Sequence, residues 1–159
     1  MVDISRRRFL RGDFSGSKTA ARPPWALAEA DFAGACTRCR ACIDACPEHI
    51  LAPDAEARPV VDFDRGACTF CGACVDTCLP RALVKREGEA PWPLKARIQE
   101  SCLARANVVC RACGEACPVQ AIRFRPVVMA AALPEVDAGL CTGCGACFAP
   151  CPSRAILIV

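Results

Sequence analysis

The sequence predicts an α+β chain of two tandem small modules, each made from two copies of one cysteine-rich unit, behind a basic, largely unstructured N-terminal arm. Three observations lead there. Cysteine supplies 16 of 159 residues, a density found in disulfide scaffolds and metal proteins. The cysteines fall into four groups of closely similar spacing, each leading into Pro and then a pair of apolar residues. A stretch rich in Pro and charge divides those groups two and two.

The arm, residues 1–30, opens MVDISRRRFLRGDFSGSKTAARPPW. Ser5 to Leu10, SRRRFL, looks like the core of a twin-arginine export motif. A working signal also needs an apolar stretch and a small-residue cleavage site, but Gly12, Asp13, Ser15, Ser17 and Lys18 follow instead. The longest comparable apolar run, Val127 to Leu133, is far short of a membrane span. The expectation is a cytoplasmic protein without a membrane span, where clustered thiols serve as metal ligands rather than disulfides. Residues 1–22 carry Arg6, Arg7, Arg8, Arg11, Lys18 and Arg22 against Asp3 and Asp13, which is +4 of a total of +3 and leaves the body at −1. Such an arm suits an acidic protein surface or a lipid head-group layer, or is simply a solvated tail. Nucleic acid is not expected as a partner, since no aromatics interleave the charges and no reading helix is evident.

The first module, 31–86, holds Cys36-x2-Cys39-x2-Cys42-x3-Cys46 and Cys68-x2-Cys71-x2-Cys74-x3-Cys78. Residues 87–97, within KREGEAPWPLKARIQE, read as a linker. The second module, 98–159, holds a widened group, Cys102-x7-Cys110-x2-Cys113-x3-Cys117, and then Cys141-x2-Cys144-x2-Cys147-x3-Cys151. Four and five residues past each last cysteine stand Ile50-Leu51, Ala82-Leu83, Ala121-Ile122 and Ala155-Ile156, which suit short strands. VVDFD (60–64) and LPEVD (133–137) are the expected opening strands of copies two and four. Leu94, Ile98 and Leu103 stand at near-helical spacing and predict a short helix leading into Cys102.

Cysteines at every third position, with Gly72, Gly143 and Gly145 among the spacers, fit a chain that curls around an object and offers sulfur from several directions. A 4Fe–4S cube is such an object, and C-x2-C-x2-C-x3-C-P is the bacterial ferredoxin signature, whose fourth cysteine crosses to the other cluster. The modules are therefore expected to be bacterial ferredoxin-like, with two 4Fe–4S clusters each and four in all. Cys36, Cys39, Cys42 and Cys78 would hold one cluster, and Cys68, Cys71, Cys74 and Cys46 a second. Cys141, Cys144, Cys147 and Cys117 would hold a third, and Cys102, Cys110, Cys113 and Cys151 a fourth. Zinc is the competing ligand of four thiolates, but its usual pattern is two separated C-x2-C pairs. The seven-residue gap after Cys102 leaves a second reading open, a structural cysteine beside a vacant or three-iron site. Four oxidised clusters at about −2 each would bring the chain from +3 to about −5, making the body acidic and the arm basic. Without metal the thiolates repel, so assembly and folding are expected to be coupled.

No phosphate loop, flavin fingerprint or nucleophile–base pair is present, so no substrate turnover is expected and the chain is not read as an enzyme. His49 reads as surface decoration, and Trp25 and Trp92 as packing anchors.

SRRRFLRG, RPPW at 22–25, four cysteine groups in this order, the widened third group and AIRFRP at 121–126 together resemble the NapF family of ferredoxin-type proteins, encoded with periplasmic nitrate reductases. The resemblance spans essentially the whole chain. It implies a cytoplasmic accessory protein that contacts the catalytic subunit of periplasmic nitrate reductase before its export and helps mature that subunit's 4Fe–4S cluster. It also carries cluster ligation onto all sixteen cysteines and raises twin-arginine signal-handling proteins as further partners. The alternative is a soluble polyferredoxin electron carrier or an electron-transfer subunit of a redox complex.

Overall fold

Order begins well ahead of the first cysteine in the computed structural model, which describes residues 21–159. Helix α1 (Glu29–Ala35) has Glu29 and Asp31 in its first turn, where the helix dipole favours acids, and buries Phe32 completely. The Arg22 guanidinium lies 4.9 Å from the Phe32 ring centre and donates to Glu29, to Asp54 at 2.8 Å and to the Pro59 carbonyl. Ala26 pairs antiparallel with Leu83, the Leu27 N–H donating to Ala82 and the Val84 N–H to Trp25. The expectation of an unstructured arm up to residue 30 therefore fails for residues 21–30. Arg22 and Trp25 have partners in the module body, and this segment forms its outer edge. The basic run from Arg6 to Lys18 and the SRRRFL sequence lie outside the described residues.

The rest of the first module follows as α2 (Ala41–Asp44), β1 (Leu51–Pro53), β2 (Pro59–Val61) and α3 (Ala73–Asp76). Strands β1 and β2 form an antiparallel hairpin in the register Leu51↔Val61, Ala52↔Val60, Pro53↔Pro59. In the second module β3 (Ala96–Ile98) precedes α4 (Ala112–Glu115), β4 (Ile122–Val127), β5 (Ala130–Val136) and β6 (Ile156–Ile158). Strands β4 and β5 pair from Ile122↔Val136 to Val127↔Ala130, with an irregularity between Arg125 and Val127. Strand β3 pairs with β6, Ala96 opposite Ile158. Both modules thus share one plan: a hairpin joins the two copies, and an outer pairing ties the entering segment to the final strand. The helix expected before Cys102 is absent. Of its apolar residues Ile98 is drawn into the pairing with β6, which also places Ala96 in the core, and turns follow at 100–101 and 103–107.

One conformation recurs in all four copies just beyond the last cysteine. The N–H of the third residue donates back to the cysteine carbonyl: His49 to Cys46 at 3.1 Å, Arg81 to Cys78 at 3.0 Å, Gln120 to Cys117 at 3.1 Å and Arg154 to Cys151 at 3.1 Å. Each of these donors is left-handed, with φ of 52°, 57°, 50° and 49°. That conformation costs a non-glycine residue about 1–2 kcal/mol. The turn offsets it by tipping the next residue, Ile50, Ala82, Ala121 or Ala155, into the interior, where none is more than 2% exposed. In three copies proline directly follows the cysteine, where its fixed φ starts such a turn and it has no N–H to satisfy; in copy two Leu79 takes that place and Pro80 follows. His49 is an exposed member of this set, as the sequence reading expects.

Candidate cluster sites

Three apolar hollows, each ringed by four cysteines, lie beside these turns. Cys36, Cys39 and Cys42 face one together with Cys78, over a floor of Phe32, Ala82 and Leu83. Cys68, Cys71 and Cys74 face the next with Cys46, against Ile50 and Leu51. Cys141, Cys144 and Cys147 face the third with Cys117, between Ala96, Ile122 and Ile158. In each, three cysteines come from one copy and the fourth from its sister, the crossing that the spacing predicts. The remaining four, Cys102, Cys110, Cys113 and Cys151, also converge: the groups whose charge bears most on Cys113 are Cys102, then Cys110, with Cys151 following.

Local structure explains how Cys102 reaches across its gap. Its N–H donates to Gln99, the Arg105 N–H returns to the Cys102 carbonyl, and the Asn107 N–H donates to Ala104. These successive turns fold the seven intervening residues back on themselves, and the Asn107 side chain fixes the loop by accepting from the Ala131 N–H at 2.7 Å.

Single helical turns bring the third cysteine of copies one to three inward; Cys42, Cys74 and Cys113 lie on α2, α3 and α4 and are buried. In copy four, residues 146–150 form turns instead, and Cys147 is still buried. Burial disfavours the thiolate, and neighbouring thiols add like-charge repulsion. The Cys42 thiol is pushed up to about 11 by burial and then by Cys78, Cys36 and Cys39. Burial, then Cys68, Cys42, Cys71 and Cys46, raises Cys74 to about 12. Cys113 is pushed to about 11 by burial first, and Cys147 to about 12 by burial and then the Cys144 charge. Cys68 rises to about 11 through burial, partly opposed by the Phe70 N–H, with Cys46, Cys71 and Cys144 adding repulsion. The exposed Cys39 behaves in the opposite way: the Ala41 N–H and the Thr37 hydroxyl hold its thiol below the ordinary value.

A cation among such thiols would stabilise their thiolate forms. Backbone N–H groups already point at sulfur, from Phe70 to Cys68 at 3.4 Å, Ala96 to Cys141 at 3.4 Å, Ala121 to Cys117 at 3.2 Å and Ala155 to Cys151 at 3.2 Å. Bonds of this kind tune the potential of a sulfur-ligated cluster. Among the described residues no three His, Cys, Asp or Glu side chains close on the position of a single metal ion. The four cysteines around each hollow are the donor set that could hold a 4Fe–4S cube. When bound, such a group supplies reversible one-electron exchange.

Sequence reasoning passed over the junction between the modules. The Cys68 N–H donates to the Cys144 carbonyl at 2.8 Å. Trp92, in the expected linker, is buried and donates from Nε1 to the Thr142 carbonyl at 2.9 Å. Its ring meets Phe63 and Phe70 edge-on, and Phe63 also meets Phe148 across the boundary. The available signal was the string CTGCGAC, where glycine flanks Cys144 on both sides.

The family description "4Fe-4S dicluster domain" matches residues 26–83 and, in a second form, residues 108–155. The chain is 41% identical to the ferredoxin-type protein NapF of Escherichia coli K12, over 98% of this chain and 94% of the relative. The chain belongs to the NapF family of ferredoxin-type proteins. The NapF of Haemophilus influenzae is 40% identical over 97% of this chain and 93% of its own. The methylamine utilization ferredoxin-type protein MauM of Methylobacillus flagellatus is 33% identical over 89% and 68%. As a NapF-family chain with two dicluster domains, it has room for up to four 4Fe–4S clusters. Ferredoxin-type 4Fe–4S proteins are typically electron carriers rather than enzymes. Among the described residues no helix is long and apolar enough to cross a membrane.

Proposed function

We propose that this NapF-family chain is a cytoplasmic iron–sulfur accessory protein that helps mature the catalytic subunit of periplasmic nitrate reductase, by inserting a 4Fe–4S cluster or supplying electrons for its assembly. All sixteen cysteines act as cluster ligands in the four sets described above. We call Cys36, Cys39, Cys42 and Cys78 set 1, and Cys46, Cys68, Cys71 and Cys74 set 2. Set 3 is Cys117, Cys141, Cys144 and Cys147, and set 4 is Cys102, Cys110, Cys113 and Cys151. The domain division follows the pairing pattern, with residues from about 21 serving the first module and those from about 96 the second.

One observation carries the reading of transfer to a partner. Cys39 of set 1 and Cys71 of set 2 are exposed, and Leu79, beside Cys78, is 91% exposed. A recipient's cysteines or redox centre can therefore approach the first module's sets directly. Sixteen free cysteines are in keeping with a reducing compartment. The SRRRFL sequence would engage, or mimic, what handles the client's own export signal.

The test is to incubate the iron-loaded protein with cluster-free catalytic subunit and no other iron source, then measure iron and activity in the recipient. Iron transfer supports insertion. Activity restored only when reductant is added supports a reducing role. Neither result, with the donor still loaded, refutes the maturation reading. Deleting residues 1–12 should abolish co-purification with the client, and unchanged binding removes the role given to the arm. The second reading, an electron carrier in a redox chain, is favoured by the close succession of the cysteine sets.

A further inference from the structure

The two modules meet at their cysteine sets, not merely at their surfaces. The 2.8 Å hydrogen bond from Cys68 to Cys144 joins a residue of set 2 directly to a residue of set 3. Glycine makes this approach possible. A Cβ on Gly145 would lie 2.0 Å from the Phe63 ring, and one on Gly143 would lie 2.3 Å from the Leu94 carbonyl oxygen. Both have positive φ, 83° and 72°, and they flank Cys144. The corresponding positions of the other regularly spaced copies carry Arg38 and Arg40, or Phe70 and Gly72. Glycine on both sides thus occurs where the neighbouring module presses closest.

Three further contacts fix the geometry. Trp92 holds the Thr142 carbonyl, Arg154 pairs with Asp64 at 3.0 Å, and the rings of Phe63 and Phe148 meet at 6.2 Å. Every one of them joins one module or its linker to the other module. Tandem domains that merely shared a chain would need none of this, since inter-domain contact within a chain is commonly small and mobile.

We infer that the four sets form one continuous electron path in the order 1–2–3–4, with the module boundary crossed at Cys68 and Cys144. The order within each module follows from the shared copies: set 1 takes its last cysteine from the copy that supplies most of set 2, and set 4 takes its last from the copy that supplies most of set 3. Cys68 would help hold the cluster of set 2 and Cys144 that of set 3, and with both bound the boundary would support one-electron exchange, one centre oxidised by one unit as the other is reduced by one. No bond forms or breaks and no proton moves. The path makes set 1 and set 4 its two ends, so that a donor at one module serves a recipient at the other. This rests on the reading that the sets hold clusters.

The test uses the full chain carrying Cys36→Ala, Cys39→Ala, Cys102→Ala and Cys110→Ala, so that only sets 2 and 3 load. It is reduced completely with a low-potential chemical reductant and examined by electron paramagnetic resonance. The expected spectrum is broadened by interaction between the two reduced centres, and adding Phe63→Glu, which opens the junction, removes the broadening. Two simple, non-interacting signals at full loading of both sets overturn the inference. If the four-cysteine variant does not hold iron, the parent chain with and without Phe63→Glu decides at equal iron content. A loss of part of the broadening supports the path, and identical spectra overturn it. Parent protein without iron would instead overturn the cofactor reading itself, so the two failures are distinguishable.

Discussion

Gly72 and Gly145 occupy the same place in their copies, one residue after the second cysteine, with nearly the same φ of 86° and 83°. Their surroundings differ. A Cβ on Gly72 meets nothing within 4 Å, whereas one on Gly145 would lie 2.0 Å and 2.4 Å from two carbons of the Phe63 ring. Alanine at either position bears the left-handed backbone cost of about 1–2 kcal/mol. Arg40, at the corresponding place in copy one with φ of 69°, shows that a side chain is accommodated there where space is open. Only Gly145→Ala adds overpacking, about 1–3 kcal/mol. Phe63 is held by Trp92 and Phe148 and has little room to yield. The difference between the two variants is therefore about 1–3 kcal/mol, which corresponds to about 2–12 °C in thermal midpoint for a chain of this size. Both variants would be loaded without oxygen to equal iron content and heated at one scan rate, since cluster loss is irreversible. Visible cluster absorption reports the transition. Gly145→Ala should melt clearly below Gly72→Ala. Equal midpoints would refute the close seating of the second module on Phe63.

Further outcomes follow from the same geometry. Cys102→Ala should lower iron by about one to four atoms per chain while the other sets stay filled; unchanged iron would show that Cys102 is not a ligand. Arg22→Ala removes donors to Glu29, Asp54 and the Pro59 carbonyl and should cost about 1–2 kcal/mol, read as a lower thermal midpoint. The Arg22 hydrogen bond holds Glu29 below its ordinary 4.5. Burial raises Asp54, but Arg22 and the backbone donors of Arg58 and Glu56 bring it below 3.8. That contribution is full at neutral pH and is lost as pH falls through the carboxylate range, so the deficit of the variant should shrink there. Cluster loading of the metal-free chain should release protons and become more favourable from pH 7 to 9, because buried Cys42, Cys74 and Cys147 hold their protons up to about 11, 12 and 12. Proton release in weak buffer checks this, and loading independent of pH would contradict it.

Spacing made the cysteine sets legible because ligand crossing is a matter of chain topology, and a regular repeat fixes topology. Ile50, Ala82, Ala121 and Ala155 were likewise readable, since an apolar residue at a constant offset marks a constant burial. The segment 21–30 was misread because its anchors act at long range: Arg22 finds Asp54 and Trp25 pairs near Leu83, and neither partner is visible in a Pro-rich string. Near Cys102, periodicity suggested a helix, but Ala96 to Ile98 gains more by pairing with β6, a partner some 60 residues away, than by local hydrogen bonds. The left-handed positions at His49, Arg81, Gln120 and Arg154 could not be read from residue type, since none is Gly or Asn. Their constant place after the cysteine was the only clue.

Counting iron and acid-labile sulfide in protein purified without oxygen tests the account most directly. Four filled sets predict a brown protein with about sixteen irons and about sixteen sulfides per chain. A colourless protein with stoichiometric zinc and no sulfide would contradict it.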